Sequence, residues 1–76
     1  MKIRIREAFT TRDTTVEVSE DMFLTEVAAM ACRAMGLRYP SPVLVRKDEM
    51  LQRGAKAGSV LRDGDFLELL DLGGGG

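Results

Sequence analysis

The sequence predicts an α+β fold: a mixed sheet of about four or five strands packed on one helix. Three observations carry this. Two segments of period-two character open the chain. One segment with apolar residues at three- and four-residue spacing follows. Period-two character then returns just before a run of glycines.

Lys2 to Glu7 reads as a strand, with Ile3 and Ile5 on one face and Lys2, Arg4 and Arg6 on the other. Ala8 to Asp13 is short and polar, suited to a hairpin loop. Thr14 to Ser19 alternates again, with Val16 and Val18 inward, so the first two strands form an antiparallel hairpin. Between Met22 and Met35 the composition turns to helix formers, and Leu24, Val27, Ala28, Ala31 and Met35 make one apolar stripe. The helix is expected over Phe23 to Met35, with Asp21 at its start and Gly36 as a left-handed stop. Pro40 and Pro42 keep it from resuming.

Pro42 to Arg46 is the third strand, with Val43 and Val45 inward and Leu44 outward. Lys47 to Gly58 is turn-rich, anchored by Met50 and Leu51. Asp63-Gly64 marks a turn. Asp65 to Leu72 is the closing strand, with Leu67 and Leu69 inward. The core adds Leu61 to these inward residues. Residues 1–72 are expected to form the domain and 73–76 a flexible glycine tail.

Composition narrows the function. The chain carries 11 Lys+Arg against 12 Asp+Glu, a net charge of −1, so it lacks the basic excess of a nucleic-acid binder. No apolar run reaches the ~20 residues of a membrane helix, and the opening MKIRIREAFT is not a signal peptide. A cytoplasmic monomer is the expectation. With no histidine and the single Cys32, neither a general base, nor a metal site, nor an intrachain disulfide is expected. Cys32 reads as a packing residue within the helix. An enzyme is not expected, and no cofactor of its own.

MKIRI at the start, VEVSEDMFLTEV running from strand into helix, and VLRDGDFLELL before the glycines together resemble ubiquitin and its prokaryotic relatives over the whole length. The resemblance implies a β-grasp fold with the first and last strands paired in parallel. It also implies one first step for two activities. An adenylating enzyme activates the C-terminal carboxylate with ATP. The product is then either a modifier conjugated to target proteins or a sulfur carrier bearing a thiocarboxylate. By that resemblance Gly76 is the activated residue, with Gly75, Gly74 and Gly73 before it. A conjugating enzyme and a metal-dependent isopeptidase are further partners of such systems. The chain differs from ubiquitin in having four terminal glycines, and Asp71 and Leu72 where ubiquitin has arginines. This leans towards the bacterial and archaeal branch.

Strand alternation points Leu44, Phe66, Leu70 and Leu72 outward as a partner-binding patch, and the matching sheet face of ubiquitin is its main recognition surface. Lys2, Lys47 and Lys56 are candidate acceptors for chain growth. A non-covalent adaptor of the same fold, with an inert tail, is the alternative. It would bind through the sheet face or by strand pairing at an edge.

Overall fold

The computed structural model describes residues 1–73. The strand β1 (Lys2–Glu7) pairs antiparallel with β2 (Asp13–Glu17), Ile3 facing Val16 and Arg4 facing Thr15. The helix α1 (Leu24–Met35) follows, then β3 (Pro42–Arg46), a two-residue strand β4 (Glu49–Met50), a one-turn helix α2 (Ala57–Val60) and β5 (Phe66–Asp71). The sheet order is β2-β1-β5-β3-β4. β1 and β5 pair in parallel inside the sheet, Ile5 beside Leu67, and β3 runs antiparallel to β5. The long second helix that would contradict this architecture does not form between Lys47 and Arg62. Only the four residues of α2 are helical there.

The start of α1 differs from the sequence expectation. Phe23, not Asp21, occupies the N-cap position, and the Glu26 carboxylate reaches back to the Phe23 N–H at 3.2 Å. An acid in the first turn satisfies an orphan donor and complements the helix dipole together. The end is as the sequence reads. Gly36 adopts φ 70°, a conformation that costs a residue with a Cβ, and the Leu37 N–H reaches the Cys32 carbonyl at 2.8 Å.

α1 lays its apolar stripe on one face of the sheet. Ile3, Ile5, Leu67 and Leu69 are fully enclosed beneath it, with Val16, Val18, Leu24, Val27, Ala31 and Met35 around them. Leu51 and Leu61 plug the two ends of the β4–α2 region. Ala28 and Cys32 pack with them as the helix pattern implies, and Leu44 and Ala57 complete the core beyond the residues read from the sequence.

The third strand corrects that reading. Leu44 lies opposite Leu69, and opposed residues of an antiparallel pair share a face, so Leu44 points into the core and is 2% exposed. Val43 and Val45 lie opposite Leu70 and Glu68 and occupy the outer face. Val43 is buried there, outside the main core, and Val45 is half-buried. Met50 is a second correction. It is 51% exposed and anchors nothing, whereas Leu51 is buried.

Candidate functional site

Two features can meet a partner: the outer face of the sheet and the point where the chain leaves β5. On the outer face, β1 and β5 bring Arg4 beside Phe66 and Arg6 beside Glu68. The guanidinium carbons of Arg4 and Arg6 lie 5.6 and 5.4 Å from the Phe66 ring centre, within range of the ring's negative π face. The Arg6 guanidinium donates to Glu68 Oε2 at 2.8 Å, and Arg4 Nε donates to Asp13 Oδ2 at 2.9 Å. One half of the face is therefore an aromatic ring framed by paired charges. The other half is apolar, made by half-buried Val45 and Leu70, with exposed Met50 opposite Val45.

The sequence-derived patch is partly reproduced. Phe66 is 42% exposed, Leu70 is half-buried and Leu72 is 51% exposed. Leu44 does not belong to it, being in the core. Val45 and Met50 take its place. Val45 was missed because the run Val43-Leu44-Val45 offers no alternation to set its phase, and Met50 because it stands next to Leu51, a residue of like type that is buried.

The exit from β5 is held by one carboxylate. Asp71 Oδ1 accepts the Ser41 N–H at 3.1 Å and the Gly73 N–H at 3.0 Å. The Leu72 N–H reaches the Ser41 carbonyl at 3.0 Å, extending the β3–β5 pairing past the end of the strand. Gly73 packs so closely here that a Cβ on it would lie 2.7 Å from Ser41 Cβ and 3.5 Å from Pro40 Cγ. Gly73 thus serves the packing of this domain. The roles assigned to Gly74, Gly75 and Gly76 lie outside the described residues.

Lys2, Lys47 and Lys56 are all exposed. Lys47 holds φ 50° at the β3–β4 turn, and the Lys56 ammonium sits 5.8 Å from the Phe23 ring centre. Phe9 was passed over in the sequence as part of a polar loop. It stands 94% exposed at the β1–β2 turn, with φ 66°. Cys32 is buried, and burial raises its thiol pKa above the ordinary value, which keeps it protonated and a poor nucleophile. Among the described residues no three His, Cys, Asp or Glu side chains come together to hold a metal, and no helix is long and apolar enough to cross a membrane.

No family model matches the sequence, and none of the curated proteins does. Solved structures match the fold. A chain in the crystal structure of ATBAG1 in complex with HSP70 superposes with a TM-score of 0.78 at 18% identity, over 93% of this chain. This chain spans only 40% of that one. A chain from the structure reported as "Molecular Mimicry of SUMO promotes DNA repair" superposes with a TM-score of 0.82 at 15% identity, covering 92% of this chain and 89% of the other. At these identities the likeness is one of fold.

Proposed function

From the premise of a ubiquitin-like β-grasp fold, we propose that the chain is a protein modifier activated at the carboxylate of Gly76 and conjugated to target proteins. The observation that carries this is the clamp at the end of β5. Asp71, Ser41 and Gly73 fix where the chain leaves the sheet, and the sequence continues from that point in glycine alone. A run without side chains can enter a narrow channel, because no Cβ obstructs the enclosing backbone. In this reading the domain docks outside the activating enzyme and the glycines thread inside. The carboxylate attacks the ATP α-phosphate, pyrophosphate leaves, and an acyl-adenylate forms. The partner enzyme supplies the catalytic groups.

Threading costs order. Fixing a residue costs about 1–2 kcal/mol, so three glycines cost about 3–6 kcal/mol. The exposed side chains of Phe66, Leu72 and Met50, with half-buried Leu70 and Val45, are the surface whose burial offsets that cost. Lys2, Lys47 and Lys56 remain the acceptors for chain growth.

The test is direct detection of conjugates. The tagged chain is recovered from its source cells under denaturing conditions and digested with trypsin. Cleavage after Arg62 leaves the segment from Asp63 to Gly76 on each modified target. Target lysines bearing that segment support the modifier reading. A free chain in which one terminal carboxylate oxygen is replaced by sulfur, with no conjugates, supports the sulfur-carrier reading instead. An unmodified chain recovered with partners under native conditions only supports the non-covalent adaptor. The adaptor reading draws on the occurrence of this fold in the structure of ATBAG1 in complex with HSP70.

A further inference from the structure

A cleft of about 390 Å³ lies on the opposite side of the molecule from the outer sheet face, between α1, the connection from α1 to β3, and Arg53. Its apolar lining includes half-buried Ala29 and Leu37, buried Cys32 and exposed Pro40. Its rim carries Arg33 from the last turn of α1, Arg38 from the connection, and Arg53 from the segment before α2. All three arginines are exposed residues, and none forms an ion pair among the described residues. Of the five other arginines, Arg4, Arg6, Arg12 and Arg46 each pair with a carboxylate, and Arg62 does not. In a chain of net charge −1, three unpaired arginines around one concavity are a local excess.

We propose that this cleft docks an extended acidic segment of a partner protein, with an apolar side chain on the apolar lining and carboxylates on the arginines. The arginines come from separate segments and ring the cleft, which suits several anionic groups along a chain. Arginine forks bind carboxylates in two-point contacts. The apolar lining adds what a simple anion would leave unused. The concave shape disfavours a flat anionic membrane.

The cleft also touches the root of the glycine run. Arg53 donates to Ser41 Oγ at 3.1 Å, and the Ser41 carbonyl accepts the Leu72 N–H at 3.0 Å. A segment bound here lies beside the point where the chain leaves the sheet. The site holds whether or not Gly76 is activated, so it stands apart from the proposed function.

The test titrates the isotope-labelled full chain with a synthetic peptide of alternating glutamate and leucine, read by amide and guanidinium NMR shifts. Shifts are expected at Arg33, Arg38, Ser41 and Arg53. The Arg33→Glu/Arg38→Glu variant is expected to weaken binding about ten-fold or more, as reversing charges that face a carboxylate does. Salt near 1 M, where screening acts within about 3 Å, is expected to weaken it as well. Because Glu at position 33 opposes the dipole at the end of α1, the neutral Arg33→Gln/Arg38→Gln variant is measured beside it, with a smaller loss expected. Equal affinity in wild type and both variants overturns the proposal. So do shifts confined to the Phe66–Leu70 face. Inorganic phosphate that saturates the same resonances as tightly as the peptide would make this a simple anion site. Phosphatidylserine vesicles that bind where the peptide does not would make it a membrane surface.

Discussion

Leu44→Ala separates a core residue from a surface patch. Leu44 lies opposite Leu69 and is enclosed with Ile5 and Leu67, all three of these neighbours being 0% exposed. The change removes three carbons. At about 0.8 kcal/mol per buried carbon, the transfer part is about 2.4 kcal/mol. The surrounding strands are tied on both sides: the Leu44 carbonyl holds the Leu51 N–H at 2.9 Å, and Val43 and Val45 are paired to β5. The site therefore collapses poorly, and the total is expected at about 2–5 kcal/mol. For a domain of this size a loss of 1 kcal/mol lowers the melting temperature by about 4–8 °C, so the drop is at least about 8 °C. Urea and thermal unfolding followed by circular dichroism read both quantities. A loss below about 1 kcal/mol would place Leu44 outside the core and refute the register of β3 on β5.

Leu70→Ala, on the half-buried outer face, is expected to cost under about 1 kcal/mol while weakening partner binding when combined with Phe66→Ala, checked by calorimetric titration. Asp71→Ala removes the acceptor of two backbone N–H groups. It is expected to lower stability by about 1–3 kcal/mol and to speed hydrogen exchange at the Ser41 and Gly73 amides. Stability is expected to fall in alkali. Cys32 is raised above its ordinary pKa of 9.0, chiefly by burial, and Tyr39 above 10.0 by burial and by its hydrogen bond to Glu7. Raised values mean the folded state holds protons the unfolded chain has released, so the contribution is complete below pH 9 and is lost as pH climbs through the folded values. Melting temperatures across pH 7 to about 11 check this. Cys32→Ala and Tyr39→Phe should each flatten the decline, and slopes equal to wild type would show that neither group drives it.

Most of the architecture was legible because periodicity changed where the elements changed. Ile3 and Ile5, the stripe from Leu24 to Met35, and Leu67 with Leu69 each showed a clean period, and each faces the core. The phase of β3 was not legible. Three consecutive apolar residues fit either face, and only the pairing of Leu44 with Leu69 decides it. Met50 and Leu51 are adjacent and alike in type, yet the two-residue β4 turns one outward and the next inward. The helix start was read from Asp21 because Asp is a common cap, whereas Glu26 satisfies the free N–H from inside the first turn. The clamp at Asp71 joins residues 30 positions apart, beyond what local pattern reports. The same holds for the arginine-rimmed cleft, whose members lie on three segments.

The central claim is that the glycine run is threaded into an activating enzyme, and ATP–pyrophosphate exchange tests it most directly. The assay uses the cognate adenylating enzyme with wild type and with Gly75→Phe, which keeps the length and adds a bulky side chain. Gly75 lies two positions beyond the clamped Gly73 in the sequence, and circular dichroism checks that the variant folds as wild type does. Wild type is expected to support exchange, and Gly75→Phe to lose it. Equal exchange by the two would show that the run is not threaded, and an absence of exchange with wild type would contradict activation at Gly76.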